Sequence, residues 1–267
     1  MNEVILVTGA SAGIGKACAD RMHAKGWKVY GASRRGTASE NWSPLVMDVD
    51  DDQSVADGFT RLLGDQDRLD AVVACAGWGL AGAVEQTPMA DARDQIETNF
   101  WGAVRVVQQA LPVMRCQGHG RIVLMSSIGG MVGIPFQAFY SASKFAMEGY
   151  GEALAYEVAP FGIHVTLVEP GNVRTDFTQS RRDVAVPPGG DEPYDAAVTK
   201  AVGIMVRDEL NGVPVENVAV VVERALTAKT PPRRISVGKM GERIGIMAKR
   251  LLPYRLFERG AKGSLGV

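Results

Sequence analysis

Residues 4–26 read VILVTGASAGIGKACADRMHAKG: an unbroken apolar run over Val4–Thr8, glycines at 9, 13 and 15, then a stretch with the apolar spacing of a helix. A strand that ends in glycines and runs straight into a helix presents free backbone N–H groups at the positive end of the helix dipole. Glycine permits the tight turn and lets a pyrophosphate approach the backbone. The spacing therefore predicts a dinucleotide phosphate loop, with Gly9, Ser11, Gly13, Ile14 and Gly15 as its cofactor-binding residues. The pattern is G-x-x-x-G-x-G, not the commoner G-x-G-x-x-G, and taken alone it also fits an ordinary strand-to-helix turn.

The same rhythm continues outward. Short Val/Ile/Leu-rich runs at Lys28–Ala32, Leu45–Val46, Ala71–Cys75, Arg121–Ser126 and His164–Glu169 alternate with segments long enough for crossover helices, among them Asp52–Leu63, Met89–Cys116 and Tyr140–Ala159. Near-continuous apolar strands are what a sheet covered on both faces requires. The expected fold is α/β: a doubly wound, Rossmann-type parallel sheet with helices on both faces. A length of 267 residues is within reach of one such domain, so a single domain over 1–267 is expected.

Two regions break the rhythm. Residues 172–214 carry Pro/Gly punctuation (VPPGGDEP) and weak periodicity, and are expected to form a mobile segment covering a substrate. Residues 231–267 hold nine Lys/Arg against two Glu, a local balance of +7 against −8 for the rest. This basic, amphipathic extension contains glycines and Pro253, which work against a continuous interfacial helix and favour a surface or subunit-contact helix.

Composition narrows the partners. With 46% hydrophobic and 22% charged residues the chain is too apolar for disorder, and a formal charge of −1 argues against a nucleic-acid partner. Cys18, Cys75 and Cys116 form no CxxC pair, and His23, His119 and His164 read as structural, so neither a disulfide framework nor a metal site is expected. Cys75 reads as a packing residue. The N-terminus lacks the pattern of a secretory signal, and no apolar run reaches the ~18 residues of an integral membrane segment. A cytoplasmic location is expected.

Thr8–Gly15 (TGASAGIG), followed by Ser127, Tyr140-Ser-Ala-Ser-Lys144 and Pro170-Gly171, resembles the short-chain dehydrogenase/reductase family in its single-domain form. Residues 126–154, SSIGGMVGIPFQAFYSASKFAMEGYGEAL, are similar to its hydroxysteroid and retinol dehydrogenase branch. Enzymes of this kind read the adenosine ribose just after the second strand, through a carboxylate for NAD or basic groups for NADP. Here that strand ends Gly31-Ala32-Ser33-Arg34-Arg35, with no carboxylate, so Ser33 and Arg34 imply NADP(H). Arg35 equally fits a solvated turn. By resemblance Asp48 and Val49 meet the adenine, while Asp50–Asp52 read as helix-capping residues. Where the family shows Asn-Asn-Ala-Gly, this chain has Ala74-Cys75-Ala76-Gly77, keeping Ala76 and Gly77, whose small size lets the cofactor past. The resemblance also implies that Pro170, Gly171, Val173 and Thr175 lie at the nicotinamide.

Tyr140 and Lys144, four apart on a helical segment, share one face. A nearby ammonium and a nicotinamide cation would lower the tyrosine from its ordinary pKa of ~10 into a working range. Ser127 would polarise the substrate oxygen as charge develops there. The resemblance adds Asn99, as holder of a water that links Lys144 to solvent. Trp78, Ile128, Ile134, Phe136 and Phe139 suggest apolar walls, hence a lipophilic carbonyl or alcohol as substrate. A serine hydrolase would want G-x-S-x-G and a placed histidine, neither of which Ser126-Ser127 has. The expectation is an NADP(H)-dependent oxidoreductase. The competing class is a non-catalytic NADP(H)-binding regulator on the same fold, from which the joint presence of Ser127, Tyr140 and Lys144 discriminates. The resemblance implies a homodimer or homotetramer built through the helices that carry Asn99 and Tyr140.

Overall fold

The computed structural model describes residues 2–184 and 193–265. Its centre is a seven-stranded sheet of β1 (Val4–Thr8), β2 (Lys28–Ser33), β3 (Ser43–Val46), β4 (Ala71–Ala74), β5 (Gly120–Met125), β6 (Ile163–Pro170) and β7 (Arg234–Val237). The strand order is β7-β6-β5-β4-β1-β2-β3, and every pairing is parallel. The chain winds outward from β1 to β3, then returns to lay β4 on the other side of β1. That reversal opens a crevice at the carboxyl ends of β1 and β4.

Ten helices accompany the sheet among the described residues: α1 (Gly13–Ala24), α2 (Asp52–Asp65), α3 (Met89–Ile96), α4 (Gly102–Gln117), α5 (Ala138–Val158), α6 (Phe177–Ser180), α7 (Asp195–Leu210), α8 (Val215–Thr227), α9 (Met240–Leu251) and α10 (Tyr254–Leu265). Side chains alternate across each strand, so Val4 and Leu6 join one core with Phe59 of α2, Met114 of α4 and Met147 of α5. Ile5 and Val7 join the other, with Cys18 and Met22 of α1 and Val222 of α8. Both faces are covered, which is why the strands read as continuous apolar runs.

Three features depart from the sequence expectation. The helix expected over Met89–Cys116 is interrupted by a π-helical turn, Glu97–Trp101, in which the Gly102 N–H reaches back to the Glu97 carbonyl. The strand β7 was not foreseen, because it is four residues long, begins on an arginine and lies in the basic extension. The 172–214 segment is not irregular throughout. It holds α6 and α7, and Arg182–Asp183 pairs in parallel with Leu80–Ala81. Pro/Gly punctuation hid α7, because VPPGGDEP at residues 186–193 comes immediately before that helix and Gly203 lies within it; residues 185–192 lie outside the described ones.

At the amino ends of the strands, away from the crevice, buried Asp70 accepts from the Val4 N–H at 2.7 Å, from Arg68 Nε at 2.8 Å and meets His119 Nε2 at 3.0 Å. Burial works to raise the Asp70 carboxyl, but these hydrogen bonds, led by Arg68, outweigh it and hold the carboxyl below its usual range. A depressed carboxylate contributes stability that is present above the unfolded value of ~3.9 and is lost as pH falls through the folded one. Asp70→Ala should lower the unfolding free energy at neutral pH by about 2 kcal/mol. In chemical denaturation the gap from the unsubstituted protein should close in acid.

Candidate active site

The phosphate loop is built by close approach. A Cβ on Gly15 would stand 2.3 Å from the Gly9 carbonyl oxygen, and Gly9 itself, at φ +68°, would place one 3.0 Å from Ala76 Cα. Only glycine lets α1 start this near β1 and lets the loop lie against the strand exit of β4. The Ala12 N-cap supplies no side-chain hydrogen bond, and the first turn of α1 carries no acid. The N–H groups there are left for an anion, which fits a pyrophosphate. Gly13 faces Thr175, where a Cβ on the glycine would lie 3.6 Å from Thr175 Cβ, so the loop and the exit of β6 meet.

Beyond β2, the Ser33 hydroxyl accepts from the Thr37 N–H at 3.1 Å and the Gly36 N–H bonds the Ser33 carbonyl, closing a turn. Arg34 and Arg35 both stand exposed on that turn. Neither forms a salt bridge among the described residues, an arrangement that fits a 2′-phosphate. Asp48 is half-buried and accepts from the Asp50 N–H at 3.2 Å. Of the three aspartates expected to cap α2, Asp51 does so, accepting from the Ser54 N–H at 2.7 Å. Asp50 instead accepts from Thr98 Oγ1, and Asp52 pairs with Arg105.

The Ala74-Cys75-Ala76-Gly77 exit is braced by a residue the sequence reading passed over. Thr8 Oγ1 accepts from the N–H groups of both Cys75 (3.0 Å) and Ala76 (3.1 Å). Burial pushes the Cys75 thiol up to about 12, so it stays protonated, as a packing residue should. On Gly77 a Cβ would lie 2.9 Å from Asn99 Oδ1 and 3.9 Å from Lys144 Nζ. Asn99, buried in the π turn, accepts from the Trp78 N–H at 2.9 Å and donates through Nδ2 to the Trp78 carbonyl and to Ser143 Oγ. Ser143 in turn donates to the Tyr140 carbonyl at 2.7 Å.

Ser127, Tyr140 and Lys144 come together, all buried, at the carboxyl end of β5. The Ser127 hydroxyl, beside that of Tyr140, donates to the Pro170 carbonyl at 3.4 Å, and Lys144 Nζ lies 5.8 Å from the Tyr140 ring centroid and donates to the Met125 carbonyl at 2.9 Å. The expected lowering of the tyrosine counted a nicotinamide cation beside the ammonium; from the protein's own groups the direction is upward. Burial pushes Tyr140 up to about 12; the Ser127 hydrogen bond opposes this and the Glu209 charge adds to it. Burial likewise pushes Lys144 down to about 8, with Cys75 and Glu148 pulling the other way. Desolvation penalises both charged forms, and it is the largest influence on each.

The expected walls are only part of the enclosure. Trp78, Ile128, Ile134, Phe136 and Phe139 are all half-buried. Phe136 carries a φ of +60°, the one positive φ of a non-glycine residue among those described. The sequence reading missed Phe177, whose ring meets that of Tyr140 edge-on at 5.9 Å between centroids. It also missed what holds Phe177 there. Arg181, its side chain 2% exposed, pairs with Glu209 of α7 at 2.8 Å, and Arg182 lies 4.3 Å over the Trp78 ring. The Arg182 and Val184 N–H groups bond the Gly79 and Ala81 carbonyls. Residues 177–184 are thus fixed to the exit of β4 rather than lacking contacts.

A family model described as short chain dehydrogenase matches residues 3–185. A 3-ketodihydrosphingosine reductase of Bacteroides thetaiotaomicron is 39% identical over 259 residues, covering 96% of this chain and 95% of that protein. The crystal structure of a short-chain dehydrogenase from Streptomyces avermitilis superposes with a TM-score of 0.84 at 30% identity, covering 98% of both chains. The structure of ElxO with NADP bound superposes with a TM-score of 0.72 at 25% identity, covering 89% of this chain and 97% of that one. The chain belongs to the short-chain dehydrogenase family, whose members are oxidoreductases that use nicotinamide cofactors.

The Lys144 shift has a measurable consequence. Between the folded value of about 8 and the unfolded value of 10.5 the unfolded chain binds more protons at this site than the native protein, so the site's contribution to stability rises with pH. Thermal unfolding of the wild type relative to Lys144→Met should therefore show a gain from pH 8 to 10 of about 2 kcal/mol. A flat difference across that range would contradict a desolvated ammonium.

Proposed function

We propose that the protein is an NADP(H)-dependent oxidoreductase that interconverts a lipophilic ketone and its secondary alcohol, with Tyr140 as proton donor and acceptor. The observation that carries this reading is the buried cluster of Ser127, Tyr140 and Lys144 at the crevice into which the uncapped N-terminus of α1 opens. Bound in that crevice, the nicotinamide supplies or accepts the hydride.

The chain's own residues supply the rest. Gly9, Ser11, Gly13, Ile14 and Gly15 hold the pyrophosphate on the α1 N–H groups. Ser33 and Arg34 hold the 2′-phosphate, Asp48 and Val49 the adenine, and Ala76 and Gly77 leave room for the ribose. Pro170, Gly171, Val173 and Thr175 fix the nicotinamide face. Ser127 donates a hydrogen bond to the substrate oxygen, and Tyr140 transfers the proton to it during reduction. Lys144 stabilises the phenolate left behind, and Asn99 keeps the proton path from Lys144 to solvent open.

A lipophilic ketone fits the enclosure by Phe177, Trp78 and Ile134, and the relative whose name specifies 3-ketodihydrosphingosine reduction supports a ketone on a long aliphatic chain. Trp101, exposed in the π turn that leads into α4, and Phe145 and Tyr156, exposed on α5, support a homo-oligomer through the long helices. Three free cysteines support the cytoplasm as its location.

Ketones of increasing chain length, assayed by absorbance of the reduced nicotinamide, test the reading. NADPH should bind at least tenfold more tightly than NADH, a difference of roughly 1.4 kcal/mol that one Arg–phosphate contact supplies. Arg34→Ala should erase most of it, and Tyr140→Phe should abolish turnover while leaving NADPH binding intact. Equal affinities, or turnover by Tyr140→Phe above a few per cent, would overturn the corresponding assignment.

A further inference from the structure

Seven of the sixteen exposed large apolar residues among those described fall between Met240 and Leu256. In α9, Met240, Ile244, Met247 and Leu251 recur at i, i+4, i+7 and i+11, a single line along the helix, and are 57–76% exposed. The opposite side of α9 is anchored. Ile246 is buried, Lys249 Nζ donates to the Met131 carbonyl at 2.6 Å, and Glu242 accepts from Asn172 Nδ2 at 2.6 Å. The stripe therefore points away from the protein by construction. Gly241 and Gly245 do not break α9, and Pro253 only separates it from α10, where Tyr254 and Leu256 continue the exposed apolar surface.

The charge around this stripe has one sign. Lys239, Arg243, Arg255 and Arg259 are exposed and make no salt bridge among the described residues. The two acids of the segment are already engaged, Glu242 with Asn172 and the Lys239 N–H, and Glu258 with Lys262. An apolar line flanked by unneutralised Lys and Arg matches the boundary of a bilayer with an anionic surface, where apolar side chains enter the acyl region and cations meet the headgroups.

We propose that α9 and α10 form a peripheral docking surface for anionic lipid bilayers. The docking is independent of the substrate reading, and only its use rests on it. Through Asn172 and Met131, α9 spans the loops that follow β6 and β5, so docking sets the crevice next to the membrane in which a lipophilic ketone would be dissolved.

Co-sedimentation of the full chain with phosphatidylcholine vesicles, and with vesicles containing phosphatidylglycerol, tests this without cofactor or ketone. Its outcome and that of the turnover assay are therefore separable. The protein should bind the anionic vesicles, weakly in high salt, and phosphatidylcholine alone at least tenfold less. Ile244→Glu with Met247→Glu, and separately Arg243→Glu with Arg255→Glu, should each lower anionic-vesicle binding at least tenfold. Both pairs are exposed, so thermal melting should be unchanged. Absence of binding to anionic vesicles, or binding that survives either pair, would overturn the proposal. So would an oligomer, seen by sedimentation velocity, that the Ile244/Met247 pair dissociates without vesicle binding in the wild type, because the stripe would then be a subunit contact.

Discussion

The arrangement turns on one buried ammonium. Lys144 Nζ, taken out of water, has the Met125 carbonyl as its hydrogen-bond acceptor among the described contacts and sits beside Tyr140 and Gly77. A charge in such a place is tolerated only if the surrounding backbone is rigid and polar groups are aimed at it. The sheet supplies that rigidity. β5 presents the Met125 carbonyl, α5 carries Lys144 past it, and the π turn sets Asn99 against Trp78 so that Gly77 lies beside the ammonium. Any side chain at Gly77 would collide with Asn99.

How much of this could be read in the sequence depends on the range of the signal. Strands β1, β2, β4, β5 and β6 are buried on both faces and announce themselves as apolar runs, and the glycines of the phosphate loop mark a turn that no other residue fits. Tyr140 and Lys144 are legible because helical spacing fixes their relation within one turn. What escaped depends on partners remote in sequence. Thr8 acts on Cys75 and Ala76, Arg181 finds Glu209, and Phe177 meets Tyr140. Each is an ordinary residue until the fold brings its partner. The burial of Tyr140 was illegible for a related reason: spacing revealed the ammonium, but the extent of desolvation comes from packing.

The segment from Phe177 to Leu210 changes in character once its contacts are seen. A nearly inaccessible Arg181–Glu209 pair and two backbone bonds to the β4 exit hold its described residues against the cluster, with Glu209 close enough to bear on Tyr140. The C-terminal helices extend the same enclosure outward, since α9 fastens the loops after β5 and β6 while leaving its apolar line to the outside. The buried Ser127–Tyr140–Lys144 cluster, the Phe177 ring against it and the exposed basic surface thus share one edge of the sheet.

The most direct test of the account is the titration of Tyr140 itself, read as the tyrosinate difference absorbance of the wild type minus Tyr140→Phe. With burial holding the phenol at about 12, the free protein should show no Tyr140 signal up to pH 10. Saturating oxidised NADP, which brings a cationic ring beside the phenol, should make the signal appear at lower pH. A Tyr140 that titrates near its ordinary value of ~10 in the free protein, or one that oxidised NADP leaves unmoved, would contradict the account.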